Sequence, residues 1–261
     1  MTPNEEWGLI GKVAIVTGGG AEGDGIGNGR GSAILLARAG AHVLVVDQRL
    51  DRAEGTVKMI AQEGGSAVAA CYDVTNSAQC AAMVEDTLAR WGRLDCLHNN
   101  VGFGNRGTVV TESEDNWTRV MRGNVDSVFL VSKHAVPVMI RGGGGAIVNT
   151  ASVSALRPHG LVAYSTAKGA VMALTQTMAV DHGPDNIRVN CVLPGLMYTP
   201  VVYAHGGMTA EMRETRRKSS ILGREGTGWD TGAAVRFLLS DQARYITGQL
   251  LCVDGGLRLI G

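Results

Sequence analysis

Tyr164 and Lys168 are four residues apart, so on a helix their side chains stand one above the other on the same face. A phenol has a pKa of about 10, and acid/base work near neutral pH asks for a fall of roughly 3 units, about 4 kcal/mol. One ammonium about 4 Å away supplies that much at an effective dielectric near 20. The pair is therefore sufficient in energy to make a proton-transfer group. Its spacing alone also occurs by chance on solvated helices, so the reading depends on partners. Ser152 follows the apolar run Ile147, Val148, Asn149, Thr150, Ala151, where a strand end would place a hydroxyl beside Tyr164. Ser154 competes for that place, and Asn124 lies on the preceding helical stretch.

A second set of residues suits an anionic cofactor. Thirteen residues from Thr17 to Gly29 include seven glycines and separate an apolar strand from a helical pattern. A glycine-rich strand-to-helix turn lets backbone N–H groups and a helix N-terminus meet a pyrophosphate. Asp47 ends the next apolar run, His42 to Asp47, and is placed to accept both ribose hydroxyls of an adenosine. A 2′-phosphate would meet like charge there, so NAD is favoured over NADP. Arg49 is the residue that could reverse this by folding over a phosphate.

The elements needed to position these groups are legible as alternating patterns. Buried strands are expected over residues 12–17, 42–47, 67–72, 94–98, 146–150, 188–193 and 250–253. Helices are expected over residues 32–39, 50–62, 76–91, 116–140, 162–182 and 230–239. Apolar strands alternating with amphipathic helices specify an α/β, Rossmann-like, doubly wound parallel sheet of about seven strands with helices on both faces. No linker interrupts the alternation, so residues 1–261 read as one domain. The irregular stretch 198–227 holds a candidate helix over residues 208–220 with the basic run Arg216, Arg217, Lys218. A long connection of this kind suits a substrate loop; the basic run is either a solvated face or a cleft wall that would admit an acidic substrate.

Composition limits the partners. Lys plus Arg and Asp plus Glu both number 24, which argues against nucleic acid or an anionic membrane as the main partner. The five cysteines show no CxxC spacing, as expected of reduced thiols in a cytoplasmic protein with neither a disulfide framework nor a metal site. The first residues are acidic and polar and no apolar run approaches 18 residues, so neither a signal peptide nor a membrane span is expected.

Taken together and in order, Thr17-Gly18, Asp73-Val74, Asn99-Asn100-Val101-Gly102, Asn124, Ser152, Tyr164-x-x-x-Lys168, Pro194-Gly195-x-x-x-Thr199 and Asp254-Gly255-Gly256 resemble the single-domain branch of the short-chain dehydrogenase/reductase family, nearly end to end. The resemblance implies an NAD-dependent oxidoreductase moving a hydride between nicotinamide and a secondary alcohol or ketone. It implies Tyr164 as acid/base, Lys168 on the nicotinamide ribose, Ser152 on the substrate oxygen, and Asn124 holding a relay water. Gly18, Gly27, Asn28, Gly29, Asp47, Asp73, Val74, Asn100, Pro194, Gly195, Met197 and Thr199 would line the cofactor, with Asp73 on the adenine amino group. Asn99 either touches the ribose or packs. Ser152, Ser154, Tyr164 and Met197 would meet the substrate, with Val153, His159 and Leu196 as further walls of a largely apolar site. The family is usually tetrameric, and the apolar Leu257 to Ile260 would suit a subunit interface.

Two departures stand out. Gly25-Ile26-Gly27 matches the family's letters, but the helix after it would be two residues too long. Counting back from Gly40-Ala41 places the family glycines at Gly27 and Gly29, so the turn carries about five extra residues, with Glu22 and Asp24 facing solvent. Val101 replaces the usual alanine beside the adenosine. The alternative from another class is a non-catalytic NAD-binding regulator on the same fold. A sugar-nucleotide epimerase also uses Tyr-x-x-x-Lys, but only seven residues follow Asp254 here.

Overall fold

The computed structural model describes residues 7–203 and 208–260. Its elements in chain order are β1 (Val13–Thr17), α1 (Asn28–Arg38), β2 (His42–Asp47), α2 (Leu50–Gln62), β3 (Ser66–Cys71), α3 (Ser77–Trp91), β4 (Cys96–Asn99), α4 (Glu114–Met121), α5 (Ser127–Arg141), β5 (Gly145–Thr150), α6 (Val162–His182), β6 (Ile187–Pro194), β7 (Met197–Tyr198), α7 (Pro200–Tyr203), α8 (Ala210–Lys218), β8 (Gly226–Thr227), α9 (Gly228–Leu239) and β9 (Leu250–Val253). The acidic start of the chain and residues 204–207 of the 198–227 stretch lie outside the described residues.

Seven strands form one parallel sheet in the order β3-β2-β1-β4-β5-β6-β9, and β7 pairs with β8 in a separate two-stranded ribbon. Successive side chains of a strand point to opposite faces. Accordingly Ala14, Val16, Val43 and Val45 enter one core with Ile34, Leu36 and Leu238, while Ile15, Leu44 and Val46 enter the other with Met83, Leu97 and Met139. Both faces of the strands are covered, which is why they read as continuous apolar runs. Strand order reverses between β1 and β4. The loops after these two strands therefore part, and the crevice between them opens at the carboxyl ends of the strands.

Two expected helices differ from the structure by more than a residue or two at their ends. The first starts at Asn28, not residue 32, because Gly29 and Gly31 are helical despite their low propensity. A methyl group on Gly31 would lie 2.4 Å from the Gly228 carbonyl oxygen, so bare backbone lets α1 approach α9. The stretch expected as one helix over 116–140 is α4 and α5 joined by a π-helical turn, Arg122–Asp126. Asn124 sits in that turn and donates its amide to the carbonyls of Val120 and Phe103, both at 2.8 Å. A side chain inserted into the backbone ladder is a sufficient cause of the widened turn. The segment Leu257–Leu259 is a 3-10 turn in which Leu257 is buried and Leu259 is exposed.

Candidate active site

Thr17 closes β1 and donates its hydroxyl to the His98 carbonyl at the end of β4. Asn100 completes the clasp: its N–H reaches Thr17 Oγ1 at 3.1 Å and its side-chain amide the carbonyl of Gly18 at 3.0 Å. The Asn100 side chain, expected on the cofactor, holds the glycine turn and also lines the cavity that contains Ser152, Tyr164 and Lys168. Gly29 shows how tight that turn is. A Cβ there would be 2.1 Å from the Gly18 carbonyl oxygen, whereas one on Gly27 would meet nothing nearer than 3.8 Å. The helix begins at Asn28 with Gly27 as its extended N-cap, so Gly27 and Gly29, the pair picked out by helix phase, stand at its start.

The extra residues of the turn are folded around a side chain that sequence reasoning missed. Arg30 is 1% exposed. Its guanidinium donates to the carbonyls of Gly23 at 2.6 Å, Gly25 at 2.8 Å and Ala21 at 2.8 Å, and Nε donates to Thr56 Oγ1 at 2.9 Å. Burial lowers the Arg30 pKa from its ordinary value, opposed by the charges of Asp24, Tyr203 and Asp47. The available signal was Arg30 as the one large side chain in a run of small ones, Asn28 to Ser32. Glu22 and Asp24 are exposed, and Glu22 pairs with Arg52 at 3.3 Å.

Asp47 stands at the end of β2 with one carboxylate oxygen on the Arg49 N–H at 3.0 Å. Its other oxygen would be 2.7 Å from a methyl group on Gly20, so only glycine lets the turn pass this carboxylate. Arg49 is turned away, forming two bonds to Asp51 at 2.9 and 3.0 Å. Asp73 accepts from Thr75 and Gln48; desolvation pushes its pKa up, and these hydrogen bonds outweigh that and hold it below the usual carboxylate range. Val74 and Val101 pack into the second core, Val74 fully buried. Asn99 packs as well, donating to Ser132 and to Asn149 inside the sheet.

A cavity of about 210 Å³ at the carboxyl ends of β5 and β6 brings the chemistry together: Ser152, Tyr164 and Lys168, with Asn28, Pro194, Gly195, Met197 and Thr199 around them. Ser152 caps a 3-10 turn, Val153–Ala155, and accepts the Ser154 N–H at 3.2 Å. Ser154, expected at the substrate, is instead 2% exposed with its hydroxyl unpartnered, and neither it, Val153 nor the exposed His159 lines the cavity. Val153 and Ser154 both turn into the interior, which leaves Ser152 as the serine hydroxyl at the cavity.

Tyr164 and Lys168 occupy the first two turns of α6, with Nζ 5.6 Å from the ring centroid. Lys168 is 1% exposed and donates to the Thr150 carbonyl at 2.7 Å. Burial lowers the Lys168 pKa from 10.5 to about 8. Burial raises that of Tyr164, and the Ser152 hydroxyl opposes the rise. In the free protein the ammonium is held on the Thr150 carbonyl, and desolvation is the largest influence on the phenol.

The residues present fit a dinucleotide. Asn28 Oδ1, beside the glycine turn, and Asn124 Oδ1 are both buried without a partner, and buried polar atoms ordinarily have one. A Cβ at Gly102 would be 2.6 Å from Asn124 Oδ1 and 2.7 Å from Lys168 Nζ, so that glycine keeps open the space both atoms reach into. The described residues contain no group of three or more potential metal ligands, and no helix long and apolar enough to cross a membrane.

Of the basic run, Arg216 alone reaches the cavity. Arg217 and Lys218 pair with Glu214 at 2.7 and 3.4 Å. A larger cavity shares Leu196, Met197 and Arg216 with this one and is lined on another side by the end of β9 and the residues after it.

Comparison with known proteins agrees with this geometry. Residues 19–258 match the family model described as enoyl-(acyl carrier protein) reductase. The short chain dehydrogenase/reductase astE of Aspergillus oryzae is 38% identical over the full length of both chains. A cyclopentanol dehydrogenase of Comamonas is 36% identical over 94% of this chain and 96% of its own. A 7α-hydroxysteroid dehydrogenase solved with NADH and 7-oxo glycochenodeoxycholic acid superposes with a TM-score of 0.90 at 33% identity, covering 98% of each chain.

Proposed function

Because this chain belongs to the short-chain dehydrogenase/reductase family of nicotinamide-dependent oxidoreductases, we propose that it interconverts a secondary alcohol and its ketone with NAD. The observation that carries this reading is the single cavity holding Ser152, Tyr164 and Lys168 at the strand ends, beside a glycine turn shaped for a pyrophosphate. A bound nicotinamide supplies or accepts the hydride at the carbon bearing oxygen.

The rest is done by side chains of this chain. Tyr164 Oη gives a proton to the carbonyl oxygen in reduction and takes one from the hydroxyl in oxidation. Ser152 Oγ donates a hydrogen bond to the same oxygen as negative charge develops on it. Lys168 Nζ, with one donor on the Thr150 carbonyl, has two more that would hold the ribose hydroxyls, and its charge would then lower the Tyr164 pKa. Tyr164 in the free protein is raised by burial, so its acid/base function is poised by cofactor binding. A water between Asn124 Oδ1 and Lys168 Nζ, in the space Gly102 leaves, relays the proton to solvent.

NAD is preferred to NADP because Asp47 faces the ribose position while Arg49 is held on Asp51. Asp73 bonds the adenine amino group, and Thr199 and Met197 border the nicotinamide. The exposed Leu259 suits a homotetramer contact, and the five free cysteines suit a cytoplasmic protein.

Mixing the protein with NAD or NADP and a panel of secondary alcohols, and following reduced nicotinamide by absorbance, tests the reading. Tyr164→Phe should lower turnover by about 10²–10⁴-fold while NADH still binds. Full activity in that variant, or tighter binding of NADP than of NAD, would count against the mechanism or the cofactor assignment respectively.

A further inference from the structure

The catalytic cavity carries two charged side chains, Lys168 and Arg216, both positive. Lys168 has its role in the proposed reaction. Arg216, from α8, has none, yet it is the better anchored of the two on the substrate side. Its Nε donates to Glu225 at 2.7 Å and its Nη2 to the Met197 carbonyl at 3.0 Å, fixing the plane of the guanidinium. Nη1 makes no hydrogen bond among the described residues.

Charge balance points the same way. Glu225 is shared: its second oxygen takes Arg213 Nε at 3.0 Å, and the Arg213 guanidinium stacks over the Tyr198 ring at 3.8 Å. Two guanidiniums on one carboxylate leave one positive charge over. Side-chain exposure is 8% for Glu225, 18% for Arg216 and 48% for Arg213, so the surplus is partly shielded from water at the cavity wall. Around it stand Leu196, Met197 and Val202, which lower the local dielectric and strengthen any bond to an anion. A fixed guanidinium with a free edge in an apolar wall is suited to a carboxylate.

We propose that Arg216 is a specificity-determining residue that binds an anionic group on the substrate, so that the preferred substrate is a secondary alcohol or ketone with an apolar body and a carboxylate at its far end. This rests on the oxidoreductase reading above. The same anion chemistry could be presented by the cofactor pyrophosphate, and the two sources give different results.

The test uses methyl ketones of increasing chain length, from 4-oxopentanoate upward, each paired with its methyl ester, with NADH and the full-length protein. The expected result is a kcat/KM about tenfold or more higher for the acid than for the ester at the best chain length, the size of a bond to a charged group. Arg216→Gln should bring the ratio towards one, Arg216→Lys should restore part of it, and Arg217→Gln should leave it as in the wild type. Fluorescence titration of NADH accompanies each variant. A wild-type ratio of one or less at every length overturns the proposal, as does a ratio unmoved by Arg216→Gln. NADH affinity falling in Arg216→Gln while the ratio persists assigns the residue to the pyrophosphate and also overturns it. If no ketone is turned over, calorimetry on the enzyme–NADH complex separates the two readings. Tighter binding of acid than ester, lost in Arg216→Gln, supports Arg216 while the hydride reading falls; equal binding sinks both.

Discussion

Two irregular stretches flank Tyr164, and they hold their cations differently. The turn between β1 and α1 closes around Arg30, whose guanidinium is satisfied by the backbone carbonyls of Ala21, Gly23 and Gly25. The stretch between β6 and α9 is tied by carboxylates: Glu225 to Arg213 and Arg216, and Glu214 to Arg217 and Lys218. Lys168 follows the first plan, on the Thr150 carbonyl. Carbonyls do not titrate and are weakly affected by salt. Ion pairs at partial exposure cancel charge, are screened by salt, and contribute little each. The cofactor side is therefore a frame held by uncharged acceptors, and the substrate side is a wall held by salt-sensitive pairs.

The sharpest way to break this contrast is to move the frame itself. Gly29→Ala would set a methyl group 2.1 Å from the Gly18 carbonyl oxygen, and should cost more than about 3 kcal/mol in urea denaturation and abolish NADH binding. Gly27→Ala, with 3.8 Å of clearance from protein atoms, should keep wild-type stability and weaken NADH binding alone, because its methyl group would stand where the turn approaches the pyrophosphate.

Removing the buried cation comes next. Arg30→Met leaves the carbonyls of Ala21, Gly23 and Gly25 without their donor, and should lower stability by about 2–3 kcal/mol and weaken NADH binding, at low and high salt alike. A loss that vanished at high salt would mean that Arg30 acts through ion pairs after all.

Lys168 gives a pH signature. Its folded pKa of about 8 lies below the ordinary 10.5, so the unfolded chain binds more protons between these values and stability rises with pH across that window. Groups raised by burial, such as Tyr72 and Tyr164, act oppositely at the alkaline end, so the readout is the difference between wild type and Lys168→Met. That difference should change by about 2 kcal/mol from pH 8 to pH 10, and NADH should flatten it by giving Nζ new acceptors.

The smallest effects belong to the adjustable wall. Glu225→Gln should cost about 1 kcal/mol and raise the acid-to-ester ratio, because it uncovers positive charge; salt should reduce both changes. Arg217→Ala breaks a pair whose members are 48% and 44% exposed, and should leave the melting temperature and the ratio unmoved.

Much of the fold is written locally. α6 and β9 have the bounds their patterns predict, because a long helical period and a short apolar run closed by Asp254-Gly255-Gly256 leave few alternatives. The start of α1 was not legible, since Gly29 and Gly31 are helical only through what packs against them. Nor was the π turn, which needs the Asn124 side chain and two carbonyls in one place.

The candidate site divides along the same line. Spacing by itself placed Tyr164 above Lys168, put Ser152 after a strand, and fixed Gly27 and Gly29 by counting back from the helix end, because periodicity and helix phase are one-dimensional constraints. Four things waited for the tertiary structure. They are the burial that sets Tyr164 and Lys168 against their ordinary pKa values, the loss of Ser154 to the interior, the carbonyl cage of Arg30, and the choice of Arg216 from its basic run. Each depends on which distant backbone or carboxylate arrives beside the side chain, and sequence order carries no distance between residues that only the folded sheet brings together.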